Sequence, residues 1–137
     1  MGETIRRAQY FYIMAADSPG EGARALEMLR DAGVTLLAFS GFPVGKRAQL
    51  DFVPRNPTAF RAAARRAKWK VTGPKVCFLV EGDDRTGVMS KLLDKLAAAK
   101  INVVASDAVV AGAGRFGAIL WVKPRHVNRA AKILGAS

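Results

Sequence analysis

One unit occurs twice in this chain, and that repeat constrains the fold more than any other feature, because a recurring unit of about 70 residues must close a small core of its own and lean on its copy for the rest. The segment Asp17-Ser18-Pro19-Gly20 matches Asp84-Arg85-Thr86-Gly87 at an offset of 67 residues, and the same offset brings Leu29 onto Leu96, Ala32 onto Ala99, Val34 onto Ile101 and Ala38 onto Ala105 without a gap. Further on, Phe52-Val53-Pro54 corresponds to Val122-Lys123-Pro124 if the second copy carries about three extra residues in its Gly-rich turn Ala111-Gly112-Ala113-Gly114, the kind of surface turn that tolerates insertion. The division this implies is 1–73 and 74–137, with Thr72-Gly73-Pro74 as the linker.

Each copy reads as strand, helix, strand, strand, helix. In the first, 8–15 is an aromatic and β-branched run, and 21–32 carries Ala25, Leu26, Leu29 and Ala32 at helical spacing before Gly33, a helix-ending residue. Residues 34–39 and 48–53 read as strands around a loop at 41–47. Pro57 opens a helix to about Lys68, and 69–72 is a last short strand. In the second copy, 76–81, 101–110 and 117–122 are strands; Val88, Leu92, Leu93, Leu96 and Ala99 mark the buried stripe of one helix, and Val127, Ala131 and Leu134 that of the next. Strand order β-α-β-β-α-β, with an antiparallel sheet and both helices on one face, is the α+β ferredoxin-like arrangement. The second copy lacks a clear last strand, and the vacant edge needs cover from the N-terminal segment, from the other copy or from a second chain.

Composition narrows the function classes. Half of the 137 residues are hydrophobic and 24% are charged, as in globular proteins; no apolar run is long enough to span a membrane, and no secretory signal pattern follows Met1. A cytoplasmic protein is expected. The single cysteine, Cys77, lies in the apolar run Val76-Cys77-Phe78-Leu79-Val80 and reads as a buried, inert thiol. Net charge is +11, split almost evenly between the copies. The only histidine, His126, has neither a second histidine nor a carboxylate at metal-ligand spacing and no nucleophile beside it. The adjacent Asp83 and Asp84 do not by themselves make an acid/base pair, and Gly112 to Gly117 lacks the Lys and Ser/Thr of a phosphate-binding loop. No catalysis, metal or cofactor is expected.

An acidic residue, then a small or basic one, then Pro or Thr and Gly, opening a helix that ends before a short aliphatic strand, resembles the ACT domain pattern. The fuller instance is Asp84-Arg85-Thr86-Gly87-Val88-Met89 followed by Lys100-Ile101-Asn102-Val103; the first copy shows Asp17-Ser18-Pro19-Gly20 followed by Gly33-Val34-Thr35-Leu36. The whole looks like short bacterial proteins made of two ACT domains. The resemblance implies a regulatory protein that binds a small amino acid, acts through ligand-dependent packing of its domains, forms a homodimer and controls an enzyme or transcription factor. The candidate ligand residues are Asp84, Arg85, Thr86, Gly87, Val88, Met89 and Asn102, and in the first copy Asp17, Pro19, Gly20 and Thr35. Free backbone N–H groups at a helix start suit a ligand carboxylate, an Asp could pair with its ammonium, and Asn102 or Thr35 could add a hydrogen bond. Helix capping by Asp17 and Asp84 is the structural alternative. In serine-binding ACT domains a further contact is a histidine, and Gly82 stands at that position here.

Arg61, Arg65 and Lys68 fall at i, i+4 and i+7, and Arg125, Arg129 and Lys132 repeat the spacing. These ridges read first as solvated helix faces. The alternative to the ligand-binding reading is a basic ferredoxin-like module for RNA or an acidic protein, but Arg115-Phe116-Gly117-Ala118-Ile119 lacks the aromatics of an RNA-stacking strand, so neither nucleic acid nor membrane is an expected partner.

Overall fold

A computed structural model describes residues 2–137. The order is β1 (Thr4–Ala16), α1 (Glu21–Asp31), β2 (Leu36–Val44), β3 (Arg47–Pro54), α2 (Pro57–Arg66), β4 (Thr72–Asp83), α3 (Val88–Ala98), β5 (Val103–Gly112), β6 (Arg115–Val122), a 3-10 turn at Pro124–His126 and α4 (Val127–Leu134). The chain is α+β and forms two compact units, Gln9–Lys75 and the N-terminal residues through Ala8 together with Val76–Ser137. This differs from a division at residue 73 chiefly in where the first eight residues belong.

In the Gln9–Lys75 unit the strands lie in the order β2-β3-β1-β4, the ferredoxin-like order. Alternation along the pleat sends Phe11 and Ile13 of β1 and Leu50 and Phe52 of β3 to one face, where they meet Ala25 and Leu29 of α1 and Phe60, Ala63 and Ala64 of α2. Phe60 stacks on Phe11 with ring centroids 4.8 Å apart, and Trp69 stacks on Phe52 at 5.6 Å. Asn56 caps α2 by accepting the Ala59 N–H at 3.1 Å, and Pro57 takes the first turn, where no N–H is missed. The β2–β3 register closes at Val44 opposite Arg47. The expected 41–47 loop is therefore mostly strand; Gly45, at φ 61°, makes the reversal in two residues.

The expected strand at 69–72 and linker at 72–74 are also corrected. After α2 the chain turns at Lys68, in the left-handed region at φ 59°, with Lys68 N–H on the Arg65 carbonyl and Trp69 N–H on the Ala64 carbonyl. Trp69 then points inward, and strand begins only at Thr72, continuing through Gly73 and Pro74 as β4. Gly73 is required there: a Cβ would stand 2.9 Å from the Tyr10 carbonyl oxygen.

The second unit has the order β1-β4-β6-β5. Its core joins Phe78 and Val80 of β4, Phe116, Leu120 and Val122 of β6, Leu92 and Leu96 of α3, and Ala130, Ala131 and Leu134 of α4, with Ile5 from the N-terminal strand. Residues 4–8 of β1 occupy the edge that the repeat leaves vacant. They run antiparallel to β4: Glu3 lies against Gly82, and the buried Cys77 thiol lies 3.7 Å from the Ala8 carbonyl oxygen. On the far side of this segment, Arg7 N–H donates to the Ser137 carbonyl and Ser137 N–H to the Ile5 carbonyl. The hairpin β5–β6 turns at Ala113 and Gly114, both at positive φ, as a two-residue primed turn requires.

Candidate ligand-binding loops

Both loops singled out by the repeat sit where a strand hands over to a helix. In the second unit β4 ends at Asp83, residues 84–87 turn, and α3 starts at Val88 with Gly87 as its N-cap at φ 80°. In the first, α1 follows an N-cap at Gly20, φ 92°. Neither helix start receives a side-chain cap, so the structure does not use Asp17 or Asp84 for capping. An N-cap in this conformation excludes the usual Asp or Ser geometry and leaves first-turn N–H groups facing outward at the positive end of the helix.

In the second unit, Asp84, Arg85, Thr86 and Gly87 are exposed, Val88 and Met89 are half-buried against the core, and Asn102 is exposed just beyond α3 on the way into β5. The loop is held by its backbone: Asp84 N–H donates to the Gly114 carbonyl at 2.8 Å, and Val88 N–H to the Arg85 carbonyl at 3.2 Å. Two ion pairs frame it. Arg115 reaches Asp83 at 2.9 Å, and Arg85 reaches Glu3 at 3.3 Å, with the Glu3 side chain only 7% exposed.

Glu3 is the residue that sequence reasoning missed. It lies about 80 residues from the loop and no motif marks it; the β1–β4 pairing alone brings it there. That pairing also explains Gly82: a Cβ would come within 3.1 Å of Glu3 Cγ and Phe116 Cε1 and 3.3 Å of Glu3 Cα. A side chain at position 82 would require Glu3 and Phe116 to give way by a few tenths of an ångström, and the Glu3 carboxylate stands in that neighbourhood.

The first loop is plainer. Asp17, Ser18, Pro19 and Gly20 are all exposed, as is Thr35, whose carbonyl accepts the Arg55 N–H at 2.9 Å. Arg24 pairs with Glu21 across the first turn of α1 and lies over Gly20. Ala15, at the position equivalent to Gly82, sits opposite Ala48. The loop carries no counterpart of the Glu3–Arg85 pair among the described residues.

Other titratable groups lie apart from these loops. His126 is half-buried beside α4, and its imidazole is held below its ordinary value, first by desolvation and then by Arg125, Arg129 and Lys123. Asp51 of β3 is 4% exposed on the sheet face opposite the helices and accepts the Gln49 amide at 2.8 Å. Burial raises its carboxyl above the ordinary value, against the opposing pull of Gln49 and Lys75. Among the described residues no group of three His, Cys, Asp or Glu could hold a metal ion, and no helix is long and apolar enough to cross a membrane.

The sequence matches no protein-family profile and no curated protein. Solved structures do resemble it. A protein of Bacteroides thetaiotaomicron shares 14% identity at a TM-score of 0.82, covering 96% of this chain and 88% of that one. The ligand-free regulatory subunit of aspartate kinase from Thermus thermophilus shares 17% identity at a TM-score of 0.65, covering 98% and 96%. That of Thermus flavus shares 16% at 0.61, covering 98% and 95%. At these identities the likeness is one of fold, and over nearly its whole length this chain has the fold of aspartate kinase regulatory subunits.

Proposed function

We propose that this chain is a regulatory, ligand-sensing protein of two ACT-type modules, corresponding to residues 1–73 and 74–137, that binds a small amino acid and catalyses nothing itself. The observation that carries the reading is the uncapped start of α3 at Gly87, beside Asp84 and Asn102, in a fold that matches regulatory subunits end to end. The ligand carboxylate would take the first-turn N–H groups that follow Val88, beginning with Met89, where backbone donors and helix dipole act together. Its ammonium would turn toward Asp84, with Asn102 and Thr86 able to add hydrogen bonds. Arg85, tied to Glu3, borders this loop. The first loop, with Asp17, Pro19, Gly20 and Thr35, is the weaker site, because it lacks the buried acidic partner.

Regulation requires the ligand to prefer one arrangement of the modules over another, and the output passes to a separate protein, an enzyme or a transcription factor. A homodimer is the assembly this reading favours.

The test is a thermal-shift screen against the twenty amino acids. Selective stabilisation is expected with one or a few of them, reaching about 2.7 kcal/mol at a ligand concentration 100 times Kd, and falling away in Asp84→Ala and Asn102→Ala. A flat response to all twenty sinks the sensor reading.

A further inference from the structure

Between Asp51 and Glu81 the chain carries seven basic residues, Arg55, Arg61, Arg65, Arg66, Lys68, Lys70 and Lys75, and no acidic one. All but Lys75, which lies in β4, fall on α2 or the segments flanking it. A helix face that serves only solubility ordinarily mixes signs, as α1 does with Glu21, Arg24, Glu27, Arg30 and Asp31. Helix α2 does not: its first turn has no acid, its last turn holds Arg65 and Arg66, and Lys68 and Lys70 follow.

These cations are exposed, and among the described residues none of Arg61, Arg65, Arg66, Lys68 and Lys70 forms an ion pair. Arg61 lies with its guanidinium 5.6 Å from the Phe11 ring centroid, which orients it while leaving its donors outward. Arg61 and Arg65 are about 6 Å apart along the helix axis, close enough for neighbouring cations to meet phosphates of one strand, whose charges repeat about every 3.4 Å of axis.

The surroundings select among polyanions. Phe60, the large apolar side chain of α2, is buried in the core, and among the described residues the exposed large hydrophobics, Phe39, Phe42, Val44, Val104, Val109 and Val110, lie on β2 and β5 and none on α2. A helix that inserts into a membrane surface needs Trp, Phe or Leu beside its cations, and a protein interface needs an apolar centre. A nucleic-acid backbone needs neither: its interfaces are polar and strongly basic. Of the two aromatics within the basic run, Phe60 is buried in the core, and Trp69 is stacked on Phe52 and packed against Phe60, so neither presents a free ring for a base.

We propose that α2 of the Gln9–Lys75 unit is a phosphate-binding ridge that holds the phosphodiester backbone of a nucleic acid without reading its sequence. This function is separate from the amino-acid site on the other unit, and either stands if the other falls.

The test is fluorescence anisotropy with the full-length protein and labelled 20-mers of single-stranded RNA, single-stranded DNA and duplex DNA, each in two unrelated sequences. Binding that is indifferent to sequence is expected, and comparison of the three forms shows which backbone is preferred. If three phosphates of duplex are neutralised, log K falls with log salt at a slope near −2.7, about 40-fold between 50 and 200 mM. The triple variant Arg65→Gln, Arg66→Gln, Lys68→Gln should lose most of that affinity and slope. A control of equal net charge, Lys46→Gln, Lys91→Gln, Lys95→Gln, should keep most of both, and circular dichroism melts establish that both variants fold. Absence of binding at 50 mM salt overturns the proposal, as does equal loss in the two triple variants, which would reduce the effect to net charge. Binding to phosphatidylserine vesicles or to polyglutamate as tight as to nucleic acid, and lost in the same α2 variant, overturns it in favour of those partners.

Discussion

Asp51 shows how a single residue carries a cost that its neighbours only partly offset. It is almost wholly buried, with one hydrogen bond from Gln49 and a partly compensating charge on Lys75. Because its folded-state value lies above the ordinary 3.8, the folded chain holds this proton to higher pH than the unfolded chain does. Stability from this group is therefore complete below about pH 3.8 and lost as pH rises through the folded value. Asp51→Asn, which keeps an acceptor for Gln49, should match the parent protein in urea unfolding at the acid end of its stable range and exceed it at neutral pH, with the gap opening across the carboxylate range. A variant less stable than the parent at pH 7 would show that Lys75 and Gln49 outweigh the desolvation. Gly82 makes the complementary point: its lack of a side chain is what lets Glu3 approach the loop.

Among the elements, the starts of the helices separate structural from functional polar residues. Asn56 caps α2 directly, so Asn56→Ala should cost about 1 kcal/mol, read as a lower urea midpoint at constant slope. Asp84 occupies an equally polar position before α3 yet caps nothing. Its replacement by Ala, without ligand, should leave stability within about 0.5 kcal/mol, the range of ordinary surface substitutions. A loss for Asp84→Ala as large as that for Asn56→Ala would return Asp84 to a structural role. The helix ends are also paired in kind. Gly33 and Gly135 terminate α1 and α4 in the left-handed region, whereas Lys68 and Lys100 do so after α2 and α3, although that conformation costs a non-glycine residue roughly 1 kcal/mol.

For the molecule as a whole, the exchange of its first residues decides what can fold alone. The second unit takes its outer strand from residues 4–8, with Ile5 in its core and Ser137 bonded on both sides of Arg6. A fragment of residues 74–137 leaves β4 with an open edge and a gap at the Ile5 position, and should unfold without a cooperative transition by circular dichroism. The same fragment with residues 2–8 joined after Ser137 through a Gly/Ser linker should regain one. Cooperative melting of the bare fragment would show that its own three strands and two helices suffice.

How much of this was legible depends on the range of the interaction. The repeat at an offset of 67, the helical stripes Ala25–Leu29 and Leu92–Leu96, the strands with Phe11 and Leu120 and the two loops could all be read locally, because pleat and helix periodicities and turn chemistry act over a few residues. The residues 41–47 resemble a loop because one left-handed glycine is enough to close the β2–β3 hairpin, and Gly73-Pro74 signals a turn unless a neighbouring strand pairs with it, as β1 does here. The place of Glu3 beside Gly82, the loan of residues 4–8 to the second unit and the burial of Asp51 were decided by tertiary structure alone. Each depends on which strand lies against which edge, and residues some 80 positions apart leave no periodic trace of the contact they make.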